Sequence, residues 1–127
     1  MISLDWIPVI CRKIGRHRAG RSYVRNRLHD LQEALTEWLN HQNKCASELS
    51  ERTLSRNDRP YVAKFCTLLS KEITLLKIAV AHIEFWSRGG GDVSLARAQK
   101  AYAQAQSIWK RRVLTLQKIS AYPQRYV

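Results

Sequence analysis

Three stripes of apolar residues at four- and three-residue spacing run through this chain, and no other feature limits its fold so strongly. The first is Val24, Leu28, Leu31, Leu35, Trp38, Gln42, Cys45 and Leu49, with Gln42 its one polar member. A heptad pattern of this kind keeps one face of a helix apolar over its whole length. The second stripe is Val62, Phe65, Leu69, Ile73, Leu76, Val80 and Ile83, widened by Leu68, Leu75, Ala79 and Trp86, and it predicts the most deeply buried helix. The third is Leu95, Ala98, Tyr102, Ala105, Trp109, Val113, Leu116 and Ile119, small on its core side in its first half.

The residues between the stripes mark where each helix stops. Thr, Ser, Asn and Asp fill the run from Thr53 to Arg59, and Pro60 follows, a residue tolerated in a first helical turn because its missing N–H has no helical partner there. Gly89, Gly90 and Gly91 predict the end of the second helix, since glycine accepts the left-handed cap conformation. Asp92 or Ser94 then suits the N-cap of the third helix, and Pro123 closes it.

The expected helices span about 20–51, 59–88 and 93–121, each about 42 to 48 Å long at the helical rise. Equal lengths and short connections predict an all-α fold, an antiparallel up-down-up three-helix bundle of long helices over residues 20–122. Residues 1–19 form a basic amphipathic N-terminal arm and residues 123–127 a C-terminal tail. In the arm, Leu4, Ile7, Cys11 and Ile14 have helical spacing despite Pro8, so it either docks as a short fourth element or stays mobile. Heptad helices also assemble between chains, which makes a homodimer an option. With 127 residues, 45% of them hydrophobic, the chain supports one domain with its own core.

Lys and Arg number 22 against 10 acids, a net charge of +12, and the excess is uneven. Residues 1–29 carry +6, residues 30–58 carry −3 and residues 59–127 carry +9. In an up-down-up bundle Arg12, Lys13, Arg16, Arg18, Arg21 and Arg25 share one end with Arg88, Arg97 and Lys100. On the third helix Arg97, Lys100, Gln104, Ser107, Arg111 and Lys118 fall on one face that holds no acid. Such a face suits phosphates met through Lys and Arg, with affinity that falls as salt rises. Trp6, Tyr23 and Trp86 are expected near the same basic end, where aromatic faces would stack on bases. The tail around Tyr122 and Tyr126 has the composition of a docking peptide.

Other chemistry finds less support. His29, Glu33, Glu37 and His41 recur every four residues, but the row starts opposite the core stripe, whereas metal sites in bundles project inward from several helices. No metal site and no cofactor is therefore expected. Cys11 lies among cations that would lower its thiol pKa, yet no partner His or acid accompanies it. There is no G-x-G-x-x-G, phosphate-loop or G-x-S-x-G sequence, so the chain is not read as an enzyme. Three cysteines without a C-x-x-C pair point to a reducing interior, cytoplasmic or nucleoid-associated. No run is long and apolar enough for a transmembrane segment.

The sequence thus leads to a non-enzymatic helical protein that binds nucleic acid, DNA or RNA, or a nucleoprotein assembly, through the arm and the adjacent bundle end. The alternative is a helical adaptor, inhibitor or chaperone that binds an acidic protein surface. Attachment of the arm to anionic membranes, through Trp6, Ile7 and Ile10 beside Arg12 and Lys13, ranks third.

Overall fold

The structure, a computed structural model, describes residues 4–51 and 55–119. Its elements are α1 (Trp6–Arg12), a 3-10 turn (Ile14–Arg16), α2 (Gly20–Arg25), α3 (Leu28–Glu51), α4 (Arg59–Ser87) and α5 (Val93–Gln117). Among the described residues there is no strand, and the five helices pack against one another. The third helix ends at Gln117, with Lys118 and Ile119 beyond it, and residues 120–127, which include the tyrosine-bearing tail, lie outside the described residues.

The first long helix is broken where a continuous one was expected. Between α2 and α3 the Arg27 N–H donates to the Val24 carbonyl, a three-residue bond that tightens the chain for one turn. The Arg27 guanidinium donates to the Tyr23 carbonyl at 3.2 Å and lies 3.7 Å from the Tyr23 ring centroid, which fixes this joint.

Two apolar clusters make up the interior. One joins Ile7 and Ile10 of α1 to Val24, Leu28 and Leu31, to Leu76, Val80, Ile83 and Trp86, and to Leu95, Ala98, Ala101 and Ala105. The other gathers Cys45 and Leu49 with Val62, Phe65 and Leu69, and with Leu116 and Ile119. Helix α4 is central to both, its closest partner being α5, with which it packs along most of its length. Alanines at 98, 101 and 105 on α5 allow that close approach.

The arm is a structural part of the core. Ile7 and Ile10 are buried, while Leu4, Cys11 and Ile14 pack around them, as their helical spacing predicted. Pro8 falls in the first turn of α1, where its lack of an N–H costs no helical bond.

On α5 the buried face differs from the expected stripe. Trp109 is 40% exposed and Val113 only partly covered, whereas Arg112 and Thr115 are inside. The cause is an ion pair. Arg112 Nε donates to Glu72 Oε1 at 2.7 Å, its Nη1 donates to Gln42 Oε1 at 3.0 Å, and its guanidinium lies 5.4 Å from the Phe65 ring centroid. Burial pushes the Glu72 carboxyl above its ordinary range, and Arg112 pulls the other way. Gln42, the polar member of the first stripe, is therefore the partner that helps satisfy a buried charge.

Candidate nucleic-acid interface

The basic end is built around the turn that joins α4 to α5. Gly89 has φ +110°, the Gly89 N–H bonds to the Trp86 carbonyl, and the Gly90 N–H bonds to the Phe85 carbonyl at 2.9 Å. This pair of bonds is the Schellman arrangement, which only a residue at ease with positive φ completes without strain. Arg21 of α2 then ties the turn down. Its Nη1 donates to the Trp86 and Gly90 carbonyls, its Nη2 donates to Asp92 Oδ1 at 3.1 Å, and its guanidinium stands 5.0 Å from the Trp86 ring centroid.

This network changes three sequence expectations. Trp86 is 1% exposed, with its indole N–H donating to Asp92 at 3.3 Å, so its ring faces the interior and does not offer a stacking surface. Arg21 is engaged in holding α2 to the α4–α5 turn. Asp92 does stand at the N-cap position of α5, but its side chain makes no cap bond because Arg21 and Trp86 engage it instead.

The remaining cations of the arm point outward. Arg12, Lys13, Arg16, Arg18 and Arg25 are all exposed. The arm docks beside α5, for α1 packs on it and Gly15 lies so close to Leu95 that an added Cβ would stand only 2.5 Å from its Cδ1. Arg97 and Lys100 are exposed on the first two turns of α5, and α5 contains no Asp or Glu. Arg88, just past the end of α4, is paired with Glu84 at 3.3 Å.

Trp6 and Tyr23 come together as expected, stacked with centroids 6.0 Å apart and planes 10° apart. Tyr23 is exposed along one edge, and Arg27, absent from the expected set, covers its ring. The signal for Arg27 was its four-residue spacing from Tyr23, which aligns the two on one helical face. Two expected cations lie elsewhere. Arg111 is exposed farther along α5, and Lys118 sits at its far end with its Nζ 5.9 Å from the Tyr61 ring centroid.

Cys11 behaves oppositely to its sequence reading. Burial raises its thiol to about 11 and outweighs the lowering effect of Arg12. The His29–Glu33 part of the four-residue row is an exposed pair 3.7 Å apart. No described helix is long and apolar enough to cross a membrane.

A further cleft of about 630 Å³ opens between α3 and α5 below α1, where Trp38, Tyr102 and Trp109 line it. The Glu72 side of the ion pair forms part of its floor.

Comparison with protein-family models, curated protein sequences and solved structures finds no match for this chain.

Proposed function

We propose that this chain is a non-enzymatic binding protein for a nucleic-acid backbone, or for a nucleoprotein assembly, that engages phosphates through its basic arm and the neighbouring start of α5. The observation that carries this reading is the seating of Arg12, Lys13, Arg16 and Arg18 on a docked arm beside the acid-free helix α5. Cations held on an ordered scaffold need less ordering on binding than cations on a mobile tail. Arg97, Lys100 and Arg25 extend the surface, while the Trp6–Tyr23 stack supplies an aromatic edge beside it. The reading goes with an intracellular protein whose three long helices run up, down and up. That topology agrees with the shared cluster of Val24–Leu31, Leu76–Trp86 and Leu95–Ala105 at one end, and of Cys45–Leu49, Val62–Leu69 and Leu116–Ile119 at the other.

The test is fluorescence anisotropy with labelled single- and double-stranded DNA and RNA at about 50 and 200 mM salt, a range over which phosphate contacts weaken strongly. The fourfold variant Arg12→Ser, Lys13→Ser, Arg16→Ser, Arg18→Ser should weaken binding by about tenfold or more and flatten its salt dependence. Arg21 is left intact because its loss would disturb the fold. Unchanged affinity in a variant with native circular dichroism would refute the proposal.

A further inference from the structure

The most apolar helix of the chain leaves part of its apolar surface in water. On α4 the residues Lys71, Leu75, Ile78, His82 and Phe85 follow one another at four- and three-residue steps, a second heptad row on the side away from α3. Ile78 is 41% and Phe85 62% exposed, and Leu75 is only half-buried. Beside this row Ile108 of α5 joins Leu75, Thr74, Lys71 and Ser70 around a shallow depression. The two helices pack together from the Gly89–Asp92 turn to the Glu72–Arg112 pair. The apolar row lies on the exposed side of α4, about 21 Å from Lys71 to Phe85 at the helical rise, and its Leu75 end adjoins Ile108 of α5.

The exposed charges of this row and of α5 are all of one sign. Lys71 on α4 and Arg97, Lys100 and Arg111 on α5 are exposed, and α5 contains no acid. The two acids of α4 lie elsewhere, Glu72 inside with Arg112 and Glu84 with Arg88 and with Gln32 of α3. A phosphate track does not require Leu75, Ile78 and Phe85 in line, and a second copy of the same face would set cation against cation.

We propose that this exposed row of α4, with the adjoining edge of α5, is a docking surface for an amphipathic helix of a partner protein, with an apolar stripe of about three turns flanked by Glu or Asp. Its apolar residues cover Leu75, Ile78, Phe85 and Ile108, and its acids meet Lys71, Arg97 and Arg111, the amphipathic-helix mode of recognition. This deepens the alternative of an acidic protein partner, and it shares Arg97 and Lys100 with the nucleic-acid reading but none of the arm's cations.

The probe is a labelled synthetic helix of about 18 residues, the length of five turns, with Leu on one face and Glu on both flanks. Its controls are the same composition scrambled so that no face is apolar, and the same Leu pattern flanked by Lys. At about 150 mM salt, where surface charge alone is strongly screened, the Glu-flanked helix should bind about tenfold or more tighter than either control. The double variant Ile78→Ser, Phe85→Ser changes exposed side chains, so helical circular dichroism should persist while that preference disappears. The fourfold arm variant should leave it intact.

Equal binding of the scrambled peptide would overturn the docking surface but leave an acidic protein surface as partner. No binding of either acidic peptide would remove both. Binding to phosphatidylserine vesicles without peptide binding, or self-association abolished by the double variant, would overturn the proposal in favour of a membrane or a second copy. Nucleic-acid affinity that falls in the double variant, with no preference among the peptides, would overturn it in favour of one continuous nucleic-acid surface.

Discussion

At the scale of single residues, Arg21 shows how a cation's neighbours decide what it does. In the sequence it is one of seven Lys and Arg among the first 29 residues and nothing separates it from Arg16 or Arg18. In the fold its guanidinium satisfies two carbonyls at the end of α4 and the Asp92 carboxylate together, while Arg16 and Arg18 stand in water. Arg21→Ala should therefore destabilise the protein by about 2 kcal/mol, in keeping with the loss of hydrogen bonds that involve charged groups. Urea denaturation checks this, and a change below about 0.5 kcal/mol, the size of an ordinary surface substitution, would contradict the role assigned to it. The outward cations were legible from composition alone. The inward one was not, because its partners are backbone carbonyls 65 and 69 residues away, which leave no local pattern.

At the scale of elements, the heptad rows located every long helix but not the break that starts α3 at Leu28, and they identified α4 as the most deeply buried. Pro60 and the glycine triplet fall where the helix boundaries lie. The row on α5 holds at Leu95, Ala98, Ala105, Leu116 and Ile119 but fails at Trp109 and Val113, because pattern reading assigns these two inward and a charged residue outward. Here a charge is inside, held by Glu72 and Gln42 on two other helices, and the buried face is turned to suit. Removing one member of such a pair leaves the other uncompensated, so Glu72→Ala or Arg112→Ala should cost about 3 to 5 kcal/mol. The double replacement Glu72→Leu, Arg112→Met should recover most of that loss, since it leaves neither charge buried alone. Thermal unfolding of the three variants distinguishes these outcomes, and a double variant no more stable than the singles would show that the pair does more than neutralise itself.

At the scale of the whole molecule, the arm and the bundle share one hydrophobic cluster. Ile7 and Ile10 share a cluster with Trp86 and Ala98, so the first nineteen residues help to complete the core. A chain lacking them should lose cooperative unfolding or several kcal/mol of stability, the combined scale of two large core side chains removed. An unchanged unfolding midpoint would contradict that dependence. Charge, too, is distributed over the molecule as a whole. Asp30, Glu33, Glu37 and Glu51 are exposed on α3, while the exposed side of α5 holds Arg97, Lys100, Arg111 and Lys118 and no acid. The exposed charge is thus unequal between the two helices, negative on α3 and positive on α5. In the field of any polyanion the molecule experiences a torque before it makes contact, so that α5 turns inward and α3 outward during the approach. Diffusional encounters then begin largely pre-oriented, and dissolved salt weakens that steering before it weakens any individual contact.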